Sequence, residues 1–121
     1  MSEHHVVHVE FSAQDREAAG KFYSDLFGWN IVQMPEMNYA TFDTGKNEGG
    51  GFNPVSETNP AGTVIVYIGT DDIDASLAKA TSLGGKTITP KTEIPETGWF
   101  GFFSDPTGNL VGLYTPLNEE A

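Results

Sequence analysis

The chain contains no cysteine. Disulfides, zinc–thiolate centres and thiol nucleophiles are therefore excluded together, and a reducing, cytoplasmic location is expected. Positive charge is scarce as well. Six Lys and Arg face 17 Asp and Glu, a net charge of −11, and the only arginine is Arg16. Such a surface repels phosphate backbones and anionic lipid, so neither nucleic acid nor membrane is expected as a partner. A substrate with several anionic groups, such as a nucleotide or a glutathione adduct, would find few partners. The longest apolar run, Val64 to Ile68, is far too short to span a bilayer. The opening Met1-Ser-Glu-His-His has neither a basic end nor an apolar stretch, so no signal peptide is expected. The sequence has no Gly-x-Ser-x-Gly elbow and no dinucleotide fingerprint. Gly49-Gly-Gly51 is followed by no Lys-Ser/Thr and no helix, so it lacks the mechanics of a phosphate loop.

The 121 residues, 38% hydrophobic and 12% aromatic, suit one globular domain over 1–121. Val6 to Ser12 alternates as a strand. Asp15 suits a helix N-cap, followed by Ala18, Phe22 and Leu26, and by Ala19, Tyr23 and Phe27, at helical spacing up to Gly28. Strands are expected over 29–34, 39–43 and 48–53. The order then repeats: a strand over 63–69, a helix capped by Asp71 or Asp72 and carrying Ile73, Leu77, Ala80 and Leu83, and strands over 86–89, 99–103 and 110–115. A shift of 57 residues lays Asp15 on Asp72, Leu26 on Leu83 and Gly28 on Gly85. The expected fold is α+β, two βαβββ modules (about 5–54 and 63–116, with a linker at about 55–62) forming a half-open, eight-stranded curved sheet around a cavity.

These paired units resemble the vicinal oxygen chelate superfamily of glyoxalases, bleomycin-resistance proteins and extradiol dioxygenases. The matching stretches are His8-Val-Glu-Phe with Asp15, Phe22-Tyr-Ser-Asp-Leu-Phe-Gly-Trp29, Thr70-Asp-Asp-Ile-Asp-Ala75, Leu83-Gly-Gly85 and Asp105-Pro-Thr-Gly-Asn109. The resemblance implies a metal held by ligands from the first and last strands of each half. Carried over position by position, the ligands fall on His8, on Ile65, on Gly112 and within Gly49-Gly-Gly51. One donor of four remains, and a metal site needs three or four. Accordingly no metal and no cofactor are expected, glyoxalase chemistry by the family mechanism is not expected, and no catalytic residue is assigned. The resemblance also implies a homodimer.

The leading expectation is a protein that binds a small, largely apolar or aromatic molecule in the cavity between its modules. Candidate contacts are His8, Glu10, Tyr39, Ile65, Tyr67, Phe100, Phe102, Gly112 and Tyr114. His8 and Glu10 share a strand face and could form an acid–base pair or a simple packing feature. The glycines at the two last-strand positions would widen the cavity. Trp99, Phe100, Phe102 and Phe103 alternate, one set under a helix and the other free for a ligand, for filling the cavity or for a dimer contact. The alternatives are a metal-dependent lyase, isomerase or dioxygenase-like enzyme using His8 with Glu10 or Glu48, and an interaction module with a vestigial pocket.

Overall fold

The computed structural model of the chain describes residues 4–45, 49–57 and 59–117. Glu48, the first residue of the strand expected over 48–53, lies outside these residues. Among them are two α-helices and eight strands, in the order β1 (Val6–Ala13), α1 (Arg16–Phe27), β2 (Asn30–Met34), β3 (Tyr39–Asp43), β4 (Gly50–Pro54), β5 (Val64–Gly69), α2 (Ile73–Ser82), β6 (Lys86–Ile94), β7 (Gly98–Ser104) and β8 (Leu110–Pro116). The class is α+β, built from two βαβββ modules. None of the described helices is long and apolar enough to cross a membrane.

The chain divides into two compact units, His8–Ile65 and Met1–Val7 with Val66–Ala121. The described residues before His8, 4–7, thus belong with the second half, where the Gly69 amide donates to the His5 carbonyl. Within the first unit the strands lie in the order β2-β3-β4-β1. β1 and β4 are parallel, and the other pairs antiparallel. The second unit repeats the pattern as β5-β8-β7-β6, with β5 and β8 parallel.

Each helix begins on an aspartate. The Asp15 carboxylate accepts from the amides of Glu17 and Ala18, and Asp72 accepts from Ala75, which settles donors that have no partner inside the helix. α1 stops at Gly28 in the left-handed region (φ 76°), where a side chain would be strained. Its counterpart in conformation is Gly84 (φ 104°) rather than Gly85. The 57-residue alignment therefore slips by one at the end of the shorter second helix.

Alternation across each sheet separates a packed face from an opposite face. In the first unit Ala13, Ala40, Phe42 and Phe52 form the core, with Phe11, Tyr23, Trp29 and Ile31 against it. The second unit's core is Ile73, Leu77 and Leu113, backed by Ile68, Trp99 and Phe103. Only part of the α1 apolar pattern is used. Ala19 and Tyr23 pack inward, whereas Phe22 is 59% and Leu26 56% exposed. Gly20 sets this orientation. It is buried so close to Ile31 that a Cβ would sit 2.9 Å from that side chain. Phe22, two residues on and about 200° round the helix, then faces outward. Leu83 is likewise exposed, lying beyond the last turn of α2.

The strand expected to stop before Pro90 instead runs on to Ile94. β6 is an edge strand, with register shifts between Thr87 and Thr89 and between Thr89 and Thr92. An edge with bulges accepts a proline because its missing N–H breaks no required ladder bond.

Candidate functional site

Strand parity places His8 and Glu10 of β1, Tyr39 of β3, and Gly51 and Asn53 of β4 on the face of the first sheet opposite α1, since Phe11, Ala40 and Phe52 face the core. The ladder pairs Glu10 with Gly51 and Ser12 with Asn53. Tyr39 lies across the space that a side chain at Gly51 would take. A Cβ there would meet the Tyr39 hydroxyl and Cζ, and would sit 2.7 Å from Cε2.

That placement brings four polar groups together. The Tyr39 hydroxyl donates to Glu10 Oε2 at 2.8 Å, and Asn53 Nδ2 donates to Glu10 Oε1 at 3.3 Å. His8 Nε2 is 2.7 Å from the Tyr39 hydroxyl and 3.7 Å from Glu10 Oε2. Glu10 is only 6% exposed, whereas the His8 side chain is 29% exposed. A buried carboxylate would be costly without such donors. The sequence pairs His8 with Glu10 by parity. It does not reveal that Tyr39 stands between them or that Asn53 joins them; the parity of Asn53 with Gly51 was the available signal.

The remaining candidates lie on β5, β7 and β8. Ile65 is buried. In the second unit Tyr67 pairs with Gly112, and Phe102 with Gly112 from the other side. The Tyr67 ring covers Gly112, where a Cβ would lie 2.5 Å from Tyr67 Cδ2. Tyr67 and Phe102 have ring centroids 5.6 Å apart, and Phe100 and Phe102 meet edge-on at 5.5 Å. The Tyr114 hydroxyl donates to the Thr97 carbonyl at 3.2 Å, and desolvation raises its pKa above that of free tyrosine. Trp99 and Phe103 belong to the helix-side core, as the alternation of β7 implies. The expected widening at the two glycines is not what forms. Each glycine makes room for a tyrosine ring.

The metal implied by the resemblance finds no matching donor set in these residues. Gly51 and Gly112 lie beneath tyrosines, and Ile65 has no donor atom. Among the described residues no group of three or more His, Asp or Glu side chains is placed to hold an ion. His8 and Glu10 alone fall short of the three or four protein donors of usual sites.

The fold describes a class of proteins built from paired βαβββ modules. A family model supplies the particular assignment, matching residues 5–113: the chain belongs to the Glyoxalase/Bleomycin resistance protein/Dioxygenase superfamily. It is 32% identical over 113 residues to CFP32 of Mycobacterium tuberculosis, a match covering 88% of this chain and 43% of that protein. The chain therefore spans less than half the length of that relative. A glyoxylase-like domain-containing protein of Didymella fabae is 32% identical over 116 residues, covering 88% of this chain and 90% of that one. Among solved structures, the methylmalonyl-CoA epimerase of Mycobacterium tuberculosis superposes with a TM-score of 0.71 at 18% identity, covering 92% of this chain and 87% of the epimerase. At that identity the likeness is one of fold.

Proposed function

We propose that the protein binds a small organic molecule at the His8–Tyr39–Glu10–Asn53 cluster and does so without a resident metal. The observation that carries this reading is the buried Glu10 carboxylate, held on both oxygens and linked through Tyr39 to the partly open His8. Polar groups fixed this way orient a ligand without having to reorganise. In the second unit the aromatic face of Tyr67, Phe100, Phe102 and Tyr114 offers apolar contact area of the kind that lines small-molecule sites. The bleomycin-resistance side of the family name fits this reading better than the metal-dependent side, because the carried-over ligand positions hold one donor.

A thermal-shift screen of small neutral aromatics is the test. A ligand bound only by the folded state raises the Tm, and the rise should shrink in Tyr39→Phe. If no compound raises the Tm, or if Tyr39→Phe responds as the parent does, the site is not a binding site. Metal analysis of untagged protein is expected to give clearly substoichiometric zinc, nickel, iron and manganese; one tightly held ion per chain would favour the metal-dependent reading.

The same reading includes a homodimer and a cytoplasmic location. The outward Phe22, Leu26 and Phe27 on α1 support the first, and the absence of cysteine supports the second. Light scattering at micromolar concentration should return twice the 13.1 kDa chain mass; a monomer mass would contradict the dimer.

A further inference from the structure

We propose that Asn53 sets the specificity of this site, and that the ligand presents an amide-type N–H: a carboxamide, lactam or imide in preference to a carboxylate or a simple ketone. The ligand class rests on the binding role proposed above.

Glu10 fixes the way the Asn53 amide faces. A carboxylate oxygen accepts, so the atom 3.3 Å from Glu10 Oε1 is Nδ2, and Oδ1 is turned away from it. That bond is the only one the Asn53 side chain makes among the described residues. The amide therefore keeps one N–H and its whole oxygen. Asn53 is half-buried, and among the described residues the one buried side-chain atom without a partner is Asn59 Oδ1. Asn53 Oδ1, equally unpartnered, is thus open to solvent.

Ser12 stands beside it. The two residues are ladder partners on adjacent parallel strands, and both face away from α1, because Phe11, Ala13 and Phe52 face the core. The single proton of the Ser12 hydroxyl goes to the Pro60 carbonyl, 3.0 Å away. Toward a ligand that oxygen can only accept. This end of the cluster therefore offers two acceptors, Asn53 Oδ1 and Ser12 Oγ, and one amide N–H. An amide edge matches it, with the ligand N–H donating to Oδ1 and the ligand carbonyl accepting from Nδ2. A carboxylate satisfies only the N–H and sets its lone pairs against both oxygens.

Charge disfavours the carboxylate as well. The two described Lys and Arg side chains of this unit are engaged elsewhere. Arg16 bonds to Gln33 and Asn38, and Lys21 to Asp25. At a chain net charge of −11 an incoming anion meets repulsion.

Benzamide, benzoate and acetophenone test the ligand class. They share a ring and a carbonyl oxygen; only benzamide carries an N–H, and only benzoate a charge. NMR titration of the full-length, nitrogen-labelled chain follows the Asn53 side-chain amide, assigned by its loss in Asn53→Leu. Benzamide should move it with an apparent Kd about fivefold or more below that of either competitor. Read on the backbone amides of β1 and β4, this margin should vanish in Asn53→Leu. It should narrow in Ser12→Ala, which removes lone pairs that oppose benzoate. Benzoate or acetophenone binding as tightly as benzamide overturns the ligand class, as does an unchanged margin in a folded Asn53→Leu. If that variant does not fold because Glu10 has lost a donor, Ser12→Ala decides in its place, and an unchanged margin there overturns the proposal. A probe that binds in the wrong order leaves the binding role standing and sinks the ligand class alone. If none of the three moves any signal of the cluster, both fall.

Discussion

Equivalent positions of the two units carry opposite chemistry. Glu10 in the first unit and Tyr67 in the second lie 57 residues apart, each on the first strand of its module and each opposite a glycine of the parallel last strand. Around Glu10 and Gly51 the neighbours are Tyr39, Asn53 and His8. Over Gly112, Tyr67 has the Phe102 ring beside it. In both units a tyrosine ring takes the room above the glycine, but it comes from β3 in one and from β5 itself in the other. A duplicated scaffold can thus keep its backbone register while one copy retains a polar cluster and the other becomes apolar. The polar copy carries the greater obligation, because a buried carboxylate needs donors that an aromatic ring does not.

The cores differ in the same spirit, and the largest expected effects lie there. Phe52, 0% exposed, stacks with Phe11 and Tyr23 and meets Phe42 at a tilt. Phe52→Ala should cost about 3–5 kcal/mol in denaturant unfolding. Leu77→Ala, in the aliphatic core of α2, should cost about 2–5 kcal/mol. Amide exchange would show whether each loss stays within its own unit; both variants weakening both units equally would break the distinction between them.

The glycines offer a sharper comparison. Gly112→Phe drives a side chain into Tyr67, where even a Cβ lies 2.5 Å from the ring. It should therefore cost stability, by about 1–3 kcal/mol for an overpacked site, instead of merely occupying open space. Gly51→Ala meets Tyr39 in the same manner. Its distinguishing result should be a disturbed His8 NMR signal, because the Tyr39 hydroxyl lies 2.7 Å from His8 Nε2. An unchanged His8 signal in a folded Gly51→Ala would show that the Tyr39 position does not depend on this glycine.

Much of this was legible in the sequence because local chemistry decided it. Asp15 and Asp72 cap their helices, Gly28 ends the first one, and the alternation of Phe100 and Phe102 against Trp99 and Phe103 assigns faces without tertiary information. The family and fold followed from the same residues. Other features depend on contacts that no short window contains. Tyr39 reaches Glu10 across 29 positions of chain. Gly20 decides that Phe22 and Leu26 turn outward only through its contact with Ile31. Pro90 reads as a strand end, and it is only the edge position of β6 that allows the strand to continue.

The smallest expected effect concerns the turn between β7 and β8, in the second unit. Asp105 Oδ1 accepts from the amides of Thr107, Gly108 and Asn109, and Oδ2 accepts from Asn109 Nδ2. The Asn109 side-chain bond, reinforced by the backbone amides, holds the Asp105 carboxyl below its ordinary pKa of 3.8. A carboxylate whose pKa is lowered by folding contributes stability that is fully present above its unfolded value and is lost as pH falls through the lower folded value. The turn should therefore loosen on acidification below the ordinary carboxylate range, seen as faster amide exchange at Thr107, Gly108 and Asn109 after correction for the intrinsic rate. Asp105→Asn keeps an acceptor oxygen for the turn but removes the charge, so its exchange should be faster at neutral pH and nearly flat across the acid range. If parent and variant respond to acid alike, the pH dependence of the second unit arises elsewhere, and this carboxylate does not set it apart from the first.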